Sequence, residues 1–354
     1  MRFCLTIVRL RTLSLAAAFV AAAVLPGPAL GGARHLDSPL RAEIARAGAI
    51  PDAAGVARTP AAASSWGGVY TTAGGAVTIR VSDSYPQDDA VGQRWADFLA
   101  SLVHGPELST VTLFLAPLSE VQSRCGRGAL ACYGSGLIVA PGEDPAADVS
   151  AEAVVTHEYG HHVASSRSDA PWDAVEYGTK RWASYENVCA QTRAGRLFPG
   201  AEQDERYRLN PGEAFAETFR VLNQRRAGVP ETPWTIVTTS LYPDDTALSL
   251  VEQDVTSPWT HNTAATYSGT LRRTAARSYS VATPYDGVFR VTLRTAGVRV
   301  AVGIYAGERR TLRAIAAARS TRSLSGTVCG ARTYRVRLAA AGGSGSYRLT
   351  VSKP

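Results

Sequence analysis

The stretch His157-Glu158-Tyr159-Gly160-His161 constrains this chain more than any other feature. On a helix, positions i and i+4 share one face, so both imidazoles can reach a single metal ion. Glu158 then lies one position round from the first imidazole, where a carboxylate can take a proton from water on that metal. Two neutral nitrogens hold a dication without cancelling its charge. The chain carries 6 His, and chance assembles this pentad roughly once in 200 chains of such length and composition. Val154, Val155, Val163 and Ala164 flank it, so the helix is expected to be buried. A surface helix would explain the His and Glu residues but not these flanks. Buried polar clusters need partners, and a metal satisfies several at once.

The helix has a readable start. Ser150 suits the N-cap, Glu152 falls in the first turn, and Val149 with Val154 can form a hydrophobic staple. A catalytic zinc site takes three protein ligands and water, so a third ligand must come from elsewhere. Downstream, Asn210 and Pro211 suit the cap and first position of a second helix. Phe215, Phe219 and Leu222 mark its core face. Glu213 and Glu217 sit four apart, where like charges repel mildly. A capping box, with Glu213 reaching back to the Asn210 amide, would explain Glu213 but not Glu217. A cation explains both, one as ligand and one bonded to a ligand histidine.

H-E-x-x-H followed by a helix bearing E-x-x-x-E resembles the gluzincins, a class of zinc metallopeptidases. The resemblance implies His157, His161 and Glu213 as zinc ligands, Glu158 as general base, and Glu217 as the acid that orients a ligand histidine. Many gluzincins place the third ligand about 20 residues after the second histidine. Here the step runs from 161 to 213, as in forms resembling the anthrax lethal factor peptidase domain. Glu186 has the shorter spacing but no acid four residues on, since position 190 is Ala. Metzincins do not fit, because their Gly and His positions are Ala164 and Arg167 here. Tyr207, six residues before Glu213, is a candidate to stabilise an oxyanion.

Residues 1–33 read as a secretory signal peptide, with Arg2, Arg9 and Arg11 before an apolar run from Leu13 to Leu25. That run is too short for an ordinary spanning helix, so no stable membrane insertion is expected after cleavage. Losing those three arginines lowers the formal charge from +7 to +4. The arginines look scattered, so no nucleic-acid partner is expected. Export favours disulfides. Cys125 and Cys132 are expected to pair, which leaves Cys189 with Cys329, or both free. Residues 34–65 read as a leader or linker.

Residues 66–262 read as mixed α and β. Val77/Ile79/Val81, Val111–Leu115 and Leu137–Ala140 are expected strands, and Val91 to Leu102 an expected helix. The resemblance implies a zincin-like order, with the strand before the pentad helix as the sheet edge that pairs with an extended substrate. Trp182, Tyr185, Val188 and Cys189 sit at helical spacing and read as core. His162 points away from the ligand face and reads as structural.

From about residue 265 the period becomes two. Phe289/Val291/Leu293, Val298/Val300/Val302/Ile304, Tyr334/Val336/Leu338 and Tyr347/Leu349/Val351 alternate with arginines. This reads as five or more short strands of a β-sandwich over 263–354, with a solvated arginine face. The stretch resembles the bacterial pre-peptidase C-terminal domain, chiefly at Asp286-Gly287 and the ending Gly345–Val351. The expected fold is therefore an α+β zincin-like catalytic domain followed by an all-β sandwich. The expected function is a secreted Zn2+-dependent metallopeptidase acting on a peptide or protein substrate. Its rivals are a noncatalytic binding protein with a structural zinc site, and a zinc hydrolase acting on a non-peptide substrate.

Overall fold

The computed structural model describes residues 64–354 except 203, 308, 317–320 and 331. The expected signal peptide lies outside the described residues, and so does the expected leader apart from Ser64 and Ser65. Ser65 already belongs to β1 (Ser65–Thr72), which the sequence reading missed. β1 pairs antiparallel with β2 (Gly75–Ser82), where Val77, Ile79 and Val81 alternate inward as expected. α1 (Asp89–Ser101) follows and starts at Asp88, whose side chain accepts from the Ala90 amide. β3 (Thr112–Ala116) runs parallel to β2. α2 (Leu118–Cys125), β4 (Cys132–Gly134) and β5 (Leu137–Pro141) complete a five-stranded sheet in the order β1-β2-β3-β5-β4.

This order corrects one expectation. β5 lies between β3 and β4, so the strand before the pentad helix is internal. The edge beside it is β4, a three-residue strand with too little alternation to be read from sequence, and β1 forms the opposite edge. Cys125 and Cys132 are bonded, as expected, with Cα atoms 5.7 Å apart. The bridge ties α2 to this edge.

Helices fill the next hundred residues. α3 (Ala151–Ser165) is capped by Ser150, which accepts from the Ala153 amide at 3.1 Å. α4 (Ala174–Tyr177), α5 (Lys180–Tyr185), α6 (Val188–Arg193) and α7 (Asp204–Tyr207) are short. α5 and α6 break at Asn187, whose φ of 54° is left-handed. Trp182 is core as expected, but Tyr185 is exposed and donates to Asp244 at 2.6 Å. α8 (Pro211–Ala227) and α9 (Asp245–Thr256) close the unit. One apolar core joins the sheet to α1, α3, α8 and α9.

The second core belongs to six strands: β6 (Thr263–Leu271), β7 (Ala276–Ala282), β8 (Gly287–Ala306), β9 (Arg309–Ala316), β10 (Thr321–Val328) and β11 (Thr333–Lys353). The sequence suggests five or more short strands, and the number holds, but two of the six are long. In the structure β8 and β11 are continuous and serve two layers. β8 pairs first with β10, then with β9. β11 pairs first with β7, then with β6. The inward phase switches within each strand. On β8 it passes from Phe289/Val291/Leu293 to Val298/Val300/Val302, across Gly297 at φ 74°. On β11 it passes from Tyr334/Val336/Leu338 to Tyr347/Leu349/Val351, across Gly342 and Gly343 at φ 154° and 74°. Residues with Cβ atoms rarely accept such angles, so glycine allows each strand to bend and re-aim its side chains.

The two cores meet along a polar seam. Cys189 on α6 is bonded to Cys329, just after β10, with Cα atoms 5.5 Å apart. Lys180 is buried, and its Nζ donates to the carbonyls of Asp169, Ala170 and Asp286 at 3.2, 2.7 and 3.1 Å. Arg332 pairs with Asp286 at 2.6 Å and donates to the Ser184 carbonyl.

Candidate metal centre

α3 buries nearly its whole surface, so its polar side chains have no water to turn to. α8 crosses it with Glu213 and Glu217 on the facing side. The close approach depends on Gly160, the fourth residue of the pentad. A Cβ there would lie 3.0 Å from Ala216 Cα and 3.3 Å from the Ala216 carbonyl oxygen. Asn210 caps α8 through the Gly212 amide at 2.9 Å, and Pro211 opens the first turn, as the sequence implies.

Three donor atoms converge between the helices. His157 Nε2 and His161 Nε2 are 3.2 Å apart. Glu213 Oε2 lies 3.3 Å from the first and 3.6 Å from the second. Among the described residues this buried group could hold a metal ion. Glu186 is not part of it. It caps the end of α5, and burial followed by Asp244 raises its pKa to about 7. Glu213 does not close a capping box either, because the Asn210 amide donates to the Tyr207 carbonyl.

Behind the donors runs a chain of charge-assisted bonds. His157 Nδ1 donates to Glu217 Oε1 at 2.9 Å, which leaves Nε2 facing the other donors. Arg220 holds the same carboxylate with Nε at 2.9 Å and with Nη2 on its second oxygen. Arg220 Nη1 donates to Gln224 Oε1, and Gln224 Nε2 to Thr232 Oγ1 at 3.0 Å. Arg220 escaped the sequence reading. Its position three residues after Glu217, on the same helix face, is the signal that could have found it.

The electrostatics follow from this packing. Burial alone would raise Glu217, but Arg220 and then His157 hold it down at about 2. Burial would raise Glu213 too, and the two histidines bring it to about 2. His157 is pushed down by burial and further up by the Glu213 and Glu217 carboxylates, to about 10. A metal-free site thus keeps a proton on this imidazole, and a metal ion must displace it.

Glu158 differs from its neighbours. It is fully buried, and neither carboxylate oxygen has a hydrogen-bond partner. Burial lifts its pKa to about 8; His157 opposes that rise, while Glu213 and Glu217 add to it. Tyr207 stands at the end of α7 and donates to Glu213 Oε2 at 3.0 Å. His162 faces away, as expected. Its Nε2 donates to the Glu107 carbonyl at 2.9 Å, and burial lowers its pKa.

No protein-family description matches the chain, and no curated protein matches it. Solved structures give only faint likenesses. The pre-peptidase C-terminal domain of a collagenase from Bacillus anthracis is 14% identical, over 25% of this chain and 87% of that one, at a TM-score of 0.20. PirA is 14% identical over 25% of this chain and 92% of its own, at 0.21. A periplasmic inhibitor of g-type lysozyme from Aeromonas hydrophila is 14% identical over 26% and 85%, at 0.19. Scores this low carry no argument. Two disulfides fit an exported chain, and no helix among the described residues is long and apolar enough to cross a membrane.

Proposed function

We propose that this protein is a secreted zinc-dependent metallopeptidase in which Glu158 is the general base. The observation that carries the reading is Glu158 itself, a fully buried carboxylate with two unpartnered oxygens beside three convergent donors. A purely structural metal site needs no such group between its ligands, and leaving it unsatisfied is costly. Zinc fits the donor set. Ligands about 2.0–2.2 Å from a tetrahedral zinc stand about 3.3–3.6 Å apart, and the three donors here are 3.2, 3.3 and 3.6 Å apart. Two nitrogens and one carboxylate leave a fourth position open.

His157, His161 and Glu213 would hold the ion. Bound zinc supplies a Lewis acid that polarises a carbonyl and lowers the pKa of water. Glu158 takes a proton from the attacking water and passes it to the leaving amine. Glu217 orients His157, and Arg220 keeps Glu217 charged and fixed. Tyr207 holds Glu213 through its hydroxyl. The choice of a peptide bond as substrate rests on the gluzincin resemblance.

The test is metal content together with turnover on a mixed peptide library. The intact protein should carry one zinc and cleave peptides. Glu213→Ala should lose the metal while Glu186→Ala keeps it; the reverse result would move the third ligand to Glu186. Tyr207→Phe separates two roles. Lost metal means the hydroxyl positions Glu213, whereas retained metal with a lower kcat means it stabilises the oxyanion.

A further inference from the structure

One sandwich layer is built from β10, the first half of β8, the second half of β11, and β6, and it has an outer face turned from the core. Residues directly opposite on paired strands point the same way, so the register lays this face out in rows. The middle row is Thr266, Thr350, Thr292 and Ser323. One neighbouring row carries Ser268, Arg348 and Arg294. The other carries Ala264, Ser352, Arg290 and Ser325. Apart from the small Ala264 at the margin, each of these side chains is a hydroxyl or a guanidinium.

Arg290, Arg294 and Arg348 are exposed, and among the described residues none of the three makes an ion pair. The imbalance extends through the whole region. Residues 263–354 contain sixteen Arg and Lys against two acids, Asp286 and Glu308. Residues 1–262 hold the other 21 of 37 bases and 28 of 30 acids. The mild net charge of the chain therefore hides two opposed halves. Asp286, the acid of the sandwich that is described in full, is buried and engaged by Arg332 at the seam, away from this face.

We propose that this face docks an acidic polysaccharide, a polyol chain bearing carboxylates or sulfates. Three features of the face favour that occupant. Guanidinium forks match carboxylate and sulfate oxygens two by two. Arg348 and Arg294 stand opposite each other on adjacent strands, about 5 Å apart along the sheet, so they can grip successive charges. The hydroxyl row between the arginine rows supplies donors and acceptors suited to a sugar chain, which offers both. Other polyanions use groups that this face lacks. Single-stranded nucleic acid is held by stacking on aromatic rings, duplex DNA by an element that enters a groove, and a membrane surface by apolar side chains that sink into it.

The experiment measures binding of the intact protein to polygalacturonate, dextran sulfate and uncharged dextran at physiological salt. Binding to both charged polymers and not to dextran is expected. The triple variant Arg290→Ser/Arg294→Ser/Arg348→Ser should weaken it by about tenfold or more. A control removes equal charge elsewhere in the sandwich, as Arg272→Ser/Arg273→Ser/Arg277→Ser, and should stay within about threefold. Thr292→Ala/Thr350→Ala leaves the charge alone and should weaken binding by about threefold. Equal loss in the two arginine triples would overturn the proposal, since only net charge would then matter. Tighter binding to a short DNA duplex or to phosphatidylglycerol vesicles would also overturn it. So would salt-sensitive self-association that the face triple abolishes in the absence of polymer, because the occupant would then be the acidic half of a second copy.

Discussion

Around α3 and α8 the protein buries three carboxylates, two imidazoles and a guanidinium in one cluster; around β8 and β11 it buries aliphatic and aromatic side chains and turns its arginines outward. The helical cluster is held by reciprocal bonds in which His157, His161, Glu213, Glu217 and Arg220 answer one another. The sandwich is held by area, with charge left to solvent. Two physical consequences follow. A change in the first region strands a buried charge, while a change on the sandwich face strands nothing. Glu158 stands out because both oxygens of its carboxyl lack a hydrogen-bond partner, while Glu213 and Glu217 beside it are each held by cations.

The largest expected effect tests this contrast directly. Arg220→Met leaves Glu217 buried without its cation and should destabilise the protein by about 3–5 kcal/mol. Arg348→Ser on the sandwich face should change stability by no more than about 0.5 kcal/mol. Urea unfolding of both variants measures the pair. A similar small cost for each would break the comparison.

The seam comes next. Opening the Cys189–Cys329 link by Cys189→Ser/Cys329→Ser should cost about 2–5 kcal/mol, because it spans 140 residues. A chain ending near 262 and carrying Cys189→Ser should still bind metal, since every proposed ligand precedes that point. It also loses the Asp286 carbonyl from buried Lys180, whose pKa burial already lowers to about 8. If this chain folds, by circular dichroism, yet binds no metal, the two cores are not separable.

Gly160→Ala should cost about 1–3 kcal/mol by overpacking the helix crossing. It should weaken metal binding as well, because α8 carries Glu213. Calorimetry of metal binding checks both halves of that statement. The smallest effect is the pH dependence. Carboxylates hold the metal-free His157 pKa at about 10, so binding must release its proton at neutral pH. Apparent affinity should rise about tenfold per pH unit through this range. A pH-independent affinity would mean the imidazole is already neutral.

What could be read from sequence was local. The pentad, the Ser150 and Asn210 caps and the four-residue step from Glu213 to Glu217 are helix-period features, and helix period survives into the structure. The same periodicity separates Glu213 from Glu186, since only Glu213 has an acid four residues later. The rest depends on contacts made across the chain. Arg220 gains meaning only when α8 meets α3. Internal β5 and edge β4 are distinguished by sheet order, which alternation does not encode. β8 and β11 read as separate short strands because the inward phase flips at glycines, and a flip looks like an interruption. The arginine face of the sandwich is legible in its alternation, but the scarcity of acids around it is masked because an acidic first half balances it in any whole-chain count.

The central claim is that Glu158 serves chemistry and not the metal. The direct measurement is zinc content and peptide turnover of Glu158→Gln beside the unaltered protein. The substitution keeps the shape and removes the base. Full zinc occupancy with turnover abolished is the expected result. Retained zinc with near-normal turnover would contradict the account, because the unpartnered carboxylate at the heart of the site would then have no part in the reaction.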